Sequence, residues 1–99
     1  MAFNVRFHDE AEAELDVAVD WYEKQSAGLG WRFHSIVTET VKKIAKNPTF
    51  YGICFEDYRD VALKKFPYRI VFKIVENSVI VYAIFHGHRD EIKVFPRLK

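Results

Sequence analysis

The stretch YRIVFKIVENSVIVYAIFH, residues 68–86, predicts two β-strands joined by a short polar turn. Both arms are rich in β-branched and aromatic residues, the types that fit a pleated, half-buried surface. The second arm is apolar on both faces, which is typical of a strand in the middle of a sheet. We therefore expect a β-hairpin of residues 68–75 and 79–86 to form the centre of the fold.

The first arm of this hairpin has one face without charge and one face with two cations. Because side chains alternate along a strand, the uncharged face is predicted to pack on the core and consists of Tyr68, Ile70, Phe72 and Ile74. Arg69 and Lys73 then lie on the opposite, open face. These two cations are the first candidates for a binding site.

The turn at 76–78 sets how the two arms pair. A three-residue turn places Val75 opposite Val79 and Arg69 opposite Phe85, whereas a two-residue turn shifts each pair by one. We expect the three-residue turn. The open face would then carry a large apolar area made of Val71, Val75, Val79, Val81 and Phe85. Such an area usually marks a partner site, unless the C-terminal segment or a second copy of the chain covers it.

Upstream of the hairpin, the pattern predicts a short strand at 3–7 and two amphipathic helices. Asp9 with Glu12 forms a capping-box pattern at the start of the first helix. Two glycines at 28 and 30 end that helix. Asn47-Pro48 ends the second helix, because the residue before proline avoids the helical region. The apolar stripes are Ala11, Leu15, Ala18 and Tyr22 in the first helix, and Phe33, Ile36, Val37, Thr40, Val41 and Ile44 in the second.

The resulting order of elements is β-α-α-β-β-β, with an irregular connection at 49–57 and a strand candidate at 58–66. A short last strand is expected within 92–98. A glycine-containing loop between two amphipathic helices predicts an antiparallel helical hairpin. The fold class is therefore α+β, with the helical hairpin packed on one face of a mostly antiparallel sheet. With 99 residues we expect one domain, 1–99.

Charge is unevenly distributed, although 15 basic and 14 acidic residues nearly cancel. Residues 1–50 carry a net charge of −2 and residues 51–99 a net charge of +3. The acidic first helix is interpreted as a solvated face, and we expect charged partners to bind the second half. The near-neutral total argues against direct DNA binding.

The chain also carries few signs of export. Its single cysteine, Cys54, excludes a disulfide framework and fits a reducing compartment. The N-terminal residues have no signal-peptide pattern, and no apolar run is long enough to cross a membrane. We therefore expect a cytoplasmic protein without a membrane partner.

The segment His86-Gly87-His88-Arg89-Asp90 is the stretch whose residue types are best suited to catalysis or to phosphate binding. A histidine can act as a general acid or base, and an arginine can bind a phosphate through two N–H groups. The alternative is an ordinary hairpin turn in which Asp90 caps the turn and Arg89 pairs with an acid. Neither a cysteine nor another histidine group stands beside His86 and His88, so no metal site and no cofactor is predicted.

FPYRIVF at 66–72, the apolar strand at 79–85 and HGHRD at 86–90 resemble, in this joint order, the RelE/ParE superfamily. Its members are toxins of bacterial type II toxin–antitoxin modules, also described as plasmid stabilisation proteins. The likeness covers nearly the whole chain and includes AEAEL at 11–15. It implies the β-α-α-β-β-β fold and a cognate antitoxin that wraps over the sheet and helices of the toxin.

The superfamily contains two unlike activities. RelE-type members cut messenger RNA in the ribosome without a metal, by means of a base, phosphate-binding cations and an acid. ParE-type members inhibit DNA gyrase by protein contact. At the RelE-type catalytic positions this chain keeps cations at Arg69 and Arg89. The two lysine positions fall on Asp60 and Ala62 and the tyrosine position falls on Phe95, and none of these three residues supplies that chemistry.

This comparison favours a ParE-like toxin that inhibits DNA gyrase and is neutralised by its antitoxin. The residues expected to bind partners are Arg69, Lys73, Phe85, His88, Arg89, Lys93 and Arg97. One alternative is a RelE-like, ribosome-dependent endoribonuclease with Arg69 and Arg89 as cations and His86 or His88 as base. Another is an interaction module that keeps the fold without toxicity.

Overall fold

Two helices pack on one face of a five-stranded sheet in the computed structural model, which describes residues 2–87 and 96–98. The elements in chain order are β1 (Asn4–Phe7), α1 (Asp9–Gln25), α2 (Leu29–Lys46), a 3₁₀ turn (Pro48–Phe50), β2 (Ile53–Phe55), β3 (Tyr58–Ala62), β4 (Tyr68–Val75) and β5 (Ser78–His86). The predicted α+β class, with a helical hairpin on one face of the sheet, is confirmed. Within the described ranges no helix is long and apolar enough to cross a membrane.

The strand order is β1-β5-β4-β3-β2, with β1 parallel to β5 and the other three pairs antiparallel. The hairpin of β4 and β5 therefore lies in the middle, as its two-sided apolar pattern predicted. A parallel neighbour is possible for β5 because the helical hairpin carries the chain across the sheet between β1 and the remaining strands.

The main core fills the space between the helical hairpin and the sheet. Phe33 of α2 is fully buried and its ring meets Tyr68 at 5.0 Å and Phe66 at 5.1 Å, both edge-on, an arrangement that aromatic rings favour. The buried members of this core are Ala11, Ala18, Phe33, Val37, Val41, Ile44, Leu63, Ile70, Phe72, Val79, Val81 and Ile84. The predicted apolar stripes of both helices therefore face the sheet.

The connection between the helices depends on Glu23. Its carboxylate oxygens accept hydrogen bonds from the backbone N–H groups of Gly28 at 2.8 Å and Gly30 at 2.9 Å. These bonds satisfy donors at the start of α2, which lacks a capping side chain of its own. At the start of α1, His8 rather than Asp9 is the capping residue, and its Nδ1 accepts from the backbone N–H of Glu10 at 3.3 Å. The capping role expected for Asp9 is wrong because α1 begins one residue earlier than a cap at Asp9 requires.

The predicted three-residue turn between β4 and β5 is wrong. Val75 pairs with Ser78, so Glu76 and Asn77 alone form the turn, and the positive φ of Glu76 (54°) lets the chain reverse within two residues. This shift turns Val79 and Val81 toward the helices. A bulge between Phe72 and Val71, where Tyr82 of β5 is the extra residue, then changes the register by one residue.

As a result of that bulge, Arg69 lies opposite Phe85 as predicted, although the turn has a different length. Two other expectations also differ from the structure. The connection at 49–57 contains the 3₁₀ turn and β2, and β3 ends at Ala62, where Leu63 closes a loop by donating to the carbonyl of Tyr68 at 2.9 Å. Of the last strand expected within 92–98, Pro96 and Arg97 are helical and 92–95 lie outside the described residues.

Candidate interaction site

The predicted site residues of the central strands lie on the face of the sheet away from the helices, which we call the outer face. This face is not the open apolar area that the sequence predicted. Val71 and Phe85 are 0% and 2% exposed, because Tyr58 and the C-terminal Leu98 pack over them. Val79 and Val81 lie on the helix side. The expectation that Phe85 offers its ring to a partner is therefore wrong for this conformation.

Arg69 is held by an acidic neighbour on the outer face. Its Nε donates to Asp60 Oδ2 at 2.6 Å, and the Asp60 side chain is only 16% exposed. From the family resemblance, Asp60 is the residue expected at one of the RelE-type lysine positions. It therefore adds a negative charge there and also neutralises the cation of β4 with a short, charge-assisted hydrogen bond.

Lys73, the other cation of β4, lies over an aromatic side chain. Its Nζ is 5.3 Å from the ring centre of Tyr58 and 3.6 Å from Asp57 Oδ2. The hydroxyl of Tyr58 donates to the carbonyl oxygen of Leu98 at 3.1 Å. Burial raises the pKa of Tyr58, while the Lys73 charge opposes that rise. Tyr58 therefore links the cation to the segment that covers the outer face.

Replacing Tyr58 by phenylalanine should lower the free energy of unfolding by about 1 kcal/mol, because the carbonyl of Leu98 loses its hydrogen bond. The raised pKa means that the neutral phenol favours the folded state. This contribution is complete below the ordinary tyrosine pKa of about 10 and is lost as the pH rises through the higher folded value. Urea unfolding between pH 8 and pH 11 should show a steeper alkaline loss in the parent chain than in Tyr58→Phe. Tyr51→Phe is the control, and an equal effect there would contradict the prediction.

His86 does not share a surface with Arg69. It pairs across the strands with Tyr68, and the two rings meet at 5.6 Å on the helix side of the sheet. Arg69 projects from the opposite face beside Asp60. The sheet thus separates His86, one of the two candidate bases, from Arg69, one of the two candidate cations. Four other predicted residues, His88, Arg89, Lys93 and Phe95, lie outside the described residues.

Arg97 binds α1 and the edge of β5 instead of facing solvent. Its two terminal nitrogens contact the Glu14 carboxylate at 2.9 and 3.3 Å, and Nη2 also donates to the carbonyl of Tyr82 at 2.8 Å. Its Nε lies 3.3 Å from Glu10. Glu14 accepts in addition from the backbone N–H of Ile84 at 3.0 Å. The hydrogen bond with Glu14 raises the pKa of Arg97, so its charge is permanent.

Glu14 was missed by the sequence reasoning, which treated the acidic face of the first helix as solvated. It fills a gap in the sheet, because β1 pairs with β5 only from Ser78 to Val81 and no strand within residues 2–87 or 96–98 covers the following edge. Glu14 and Arg97 satisfy the polar backbone of that edge. No signal in the sequence distinguishes Glu14 from the other carboxylates between residues 9 and 23.

An apolar groove of about 590 Å³ lies between β1, α1 and α2. Its walls include Val5, Phe7, Leu15, Val37, Val41 and Ala45. Lys42 and Lys46 stand on its α2 side, and in the described part of the chain neither makes an ion pair. Among the residues that the structure describes, no three histidines, cysteines or acids cluster as metal ligands. The chain thus presents surfaces suited to protein contact.

Sequence comparison relates the chain to a family of toxins. The profile of a family described as "ParE toxin of type II toxin-antitoxin system, parDE" matches residues 5–91. Two relatives named Toxin ParE2, from Mycobacterium tuberculosis strains CDC 1551 / Oshkosh and ATCC 25618 / H37Rv, are 24% identical over 88 residues. Each alignment covers 88% of this chain and 84% of the relative.

Solved structures of toxin–antitoxin systems share the fold. The chromosomal ParDE system of P. aeruginosa contains a chain with a TM-score of 0.74 and 17% identity, over 86% of this chain and 96% of that chain. A chain of the intact E. coli RelBE toxin–antitoxin complex has a TM-score of 0.60 and 15% identity, over 89% of this chain and 100% of that chain. Since the family profile spans most of the sequence, the chain belongs to the ParE toxins of type II toxin–antitoxin systems, within the RelE/ParE superfamily.

Proposed function

We propose that this protein arrests growth by inhibiting DNA gyrase through protein contact, and that a cognate antitoxin keeps it inactive. The ion pair between Arg69 and Asp60 is the main observation that argues against a ribonuclease. A cation that stabilises the transition state of RNA cleavage has to face the reacting phosphate. Arg69 faces a carboxylate at 2.6 Å, and His86 lies on the other side of the sheet.

The comparisons support the ParE side of the superfamily. The family profile is that of ParE toxins, and the fold agreement is greater with the ParDE chain than with the RelBE chain. A ParE-like toxin needs a surface for its target and no catalytic set of its own. This requirement fits an outer face whose cations are neutralised by Asp60 and Asp57.

The apolar groove supports the antitoxin half of the proposal. An amphipathic segment could cover Val5, Phe7 and Val41 while its carboxylates meet Lys42 and Lys46. An acidic, amphipathic antitoxin segment is therefore the occupant that we propose for this groove. Because the groove and the outer face lie on different sides of the sheet, the antitoxin need not use the surface that binds the target.

A supercoiling assay tests the proposed target. The purified chain should inhibit supercoiling of relaxed plasmid by purified DNA gyrase, and prior addition of the antitoxin encoded beside it should restore supercoiling. The same preparation should leave messenger RNA intact on translating ribosomes. Cleavage of ribosome-bound messenger RNA, abolished by Arg89→Ala, would establish the ribonuclease alternative instead. Expression without growth arrest would favour the non-toxic interaction module.

A further inference from the structure

We propose that a second concavity, on the opposite side of α2 from the apolar groove, binds an acidic, extended segment of a partner protein. This lysine pocket has a volume of about 340 Å³ and lies between α2, the end of β3 and the loop before β4. Its floor is Ile36, Tyr51 and Val61, and its rim is Lys43, Lys64 and Lys65. The segment would insert one apolar side chain between flanking carboxylates.

The floor is apolar and held in place by its surroundings. Ile36, Tyr51 and Val61 are half-buried and pack against the main core. The Tyr51 ring meets Phe72 at 6.0 Å edge-on, and its carbonyl oxygen accepts from Arg59 Nη1 at 2.5 Å. A preformed apolar surface of this kind can receive a side chain without first being ordered, which lowers the cost of binding.

The rim is positive and exposed. Among the described residues, the side chains of Lys43, Lys64 and Lys65 make no ion pair or hydrogen bond, and Glu39 is the one carboxylate in the lining. The lining therefore has a net charge of +2. Carboxylates on both sides of an apolar anchor would complement this rim, and charge complementarity of this type raises the association rate and selects the partner.

The end of β3 adds an open strand edge to the pocket. β2 covers β3 only as far as Asp60, whose backbone N–H donates to Gly52 at 3.3 Å. Ala62, two residues later, has its backbone on the same side and is exposed, and no strand in the described part of the chain pairs with it there. An extended peptide can pair with such an edge through its own backbone, and alternate side chains then point into the pocket.

These features favour a peptide over a nucleic acid. The three rim lysines alone could attract phosphates, but the apolar floor between them offers a phosphate backbone no polar contact. Nucleic-acid grooves combine cations with aromatic faces on which bases stack. Tyr51 is the only aromatic residue among the described residues of this lining, and its ring contacts those of Phe50 and Phe72 edge-on. We therefore infer that the positive rim binds carboxylates of a partner protein.

The test uses the full chain and a fluorescein-labelled peptide of sequence Asp-Glu-Leu-Asp-Glu, followed by fluorescence anisotropy. The double variant K43E/K64E should weaken binding at least tenfold. The matched control R6E/K24E makes the same change in net charge at exposed positions outside both the lysine pocket and the apolar groove, and should change the affinity less than twofold. A peptide with serine in place of leucine should bind at least fivefold more weakly. Thermal unfolding verifies that both variants are folded, and Lys43→Gln provides a milder variant with the same expected direction.

Three results would overturn the assignment. Equal weakening by R6E/K24E would show that binding follows overall charge. Tighter, Lys43-dependent binding of a twelve-nucleotide single strand would assign the pocket to nucleic acid. Failure of the parent chain to bind the peptide at millimolar concentration would show that the pocket does not bind a segment of this kind. The assay contains no gyrase, so its failure is distinguishable from a failure of the proposed target.

Discussion

Replacing Gly30 by alanine should lower the free energy of unfolding by about 2 kcal/mol, because the helices leave no room for a methyl group there. A Cβ at Gly30 would lie 2.5 Å from the backbone oxygen of Val19 and 3.0 Å from the Cβ of Glu23. The nearer atom belongs to the backbone of α1, so no side-chain rotation relieves the contact. The two helices would have to move apart, and the buried faces that they share would separate.

The sign of this effect is informative, since helix propensity acts in the other direction. Alanine is favoured over glycine within a helix by about 1 kcal/mol. A net loss therefore requires the steric cost to exceed that gain. Gly30→Val should cost more than Gly30→Ala, because it places two further methyl groups in the same space.

Urea unfolding followed by circular dichroism measures both substitutions. Gly52→Ala is the matched control, because nothing lies within 4 Å of a Cβ at that position. We expect it to change the stability by less than about 0.5 kcal/mol. A Gly30→Ala chain that is as stable as the parent would show that α1 and α2 do not approach as closely as described.

Replacing Glu14 by alanine should cost about 2–3 kcal/mol, because one carboxylate serves several partners. It accepts from the Ile84 backbone at 3.0 Å and binds the Arg97 guanidinium at 2.9 Å. Both side chains are mostly withdrawn from water, with 27% of Glu14 and 25% of Arg97 exposed. Removal of Glu14 leaves a backbone donor and a cation without their acceptor.

A double-mutant cycle measures how much of this loss of stability comes from the contact between Glu14 and Arg97. Arg97→Leu and Glu14→Ala should be less than additive by about 1–2 kcal/mol, because either change breaks the same contact. Glu12→Ala is the control, since Glu12 is exposed and lies in the same helix turn. The raised pKa of Arg97 favours the folded state at every pH below the ordinary arginine pKa, so alkaline titration to pH 10 should leave this contribution intact. Additive losses in the cycle would show that the two residues act independently.

Much of the fold follows from local patterns. The alternation in 68–75 and the two-sided apolar run after it predicted the central hairpin, and helical spacing predicted the stripes that include Phe33 and Val37. These signals are local, because periodicity depends on near neighbours in the chain. The family resemblance could be stated from the same segments.

The candidate sites were harder to predict from local sequence patterns than the fold. Arg69 and Lys73 were correctly placed on the face away from the helices, but their pairing with Asp60 and Asp57 joins separate strands and a turn. The lysine pocket likewise joins Lys43 of α2 with Lys64, from a loop that follows β3. Neither arrangement has a fixed spacing in the chain, so no sequence motif predicts it.

The sequence by itself determined the helical hairpin, the central strands, the apolar stripes and the family, because these depend on composition and spacing along one segment at a time. Only the tertiary structure decided the two-residue turn, the bulge between Val71 and Phe72 and the covered outer face. A one-residue change in register exchanges the two faces of a strand, and local propensity is nearly the same for both registers. Packing against the helices and against Leu98 selects one of the two registers, and those contacts exist only in the folded chain.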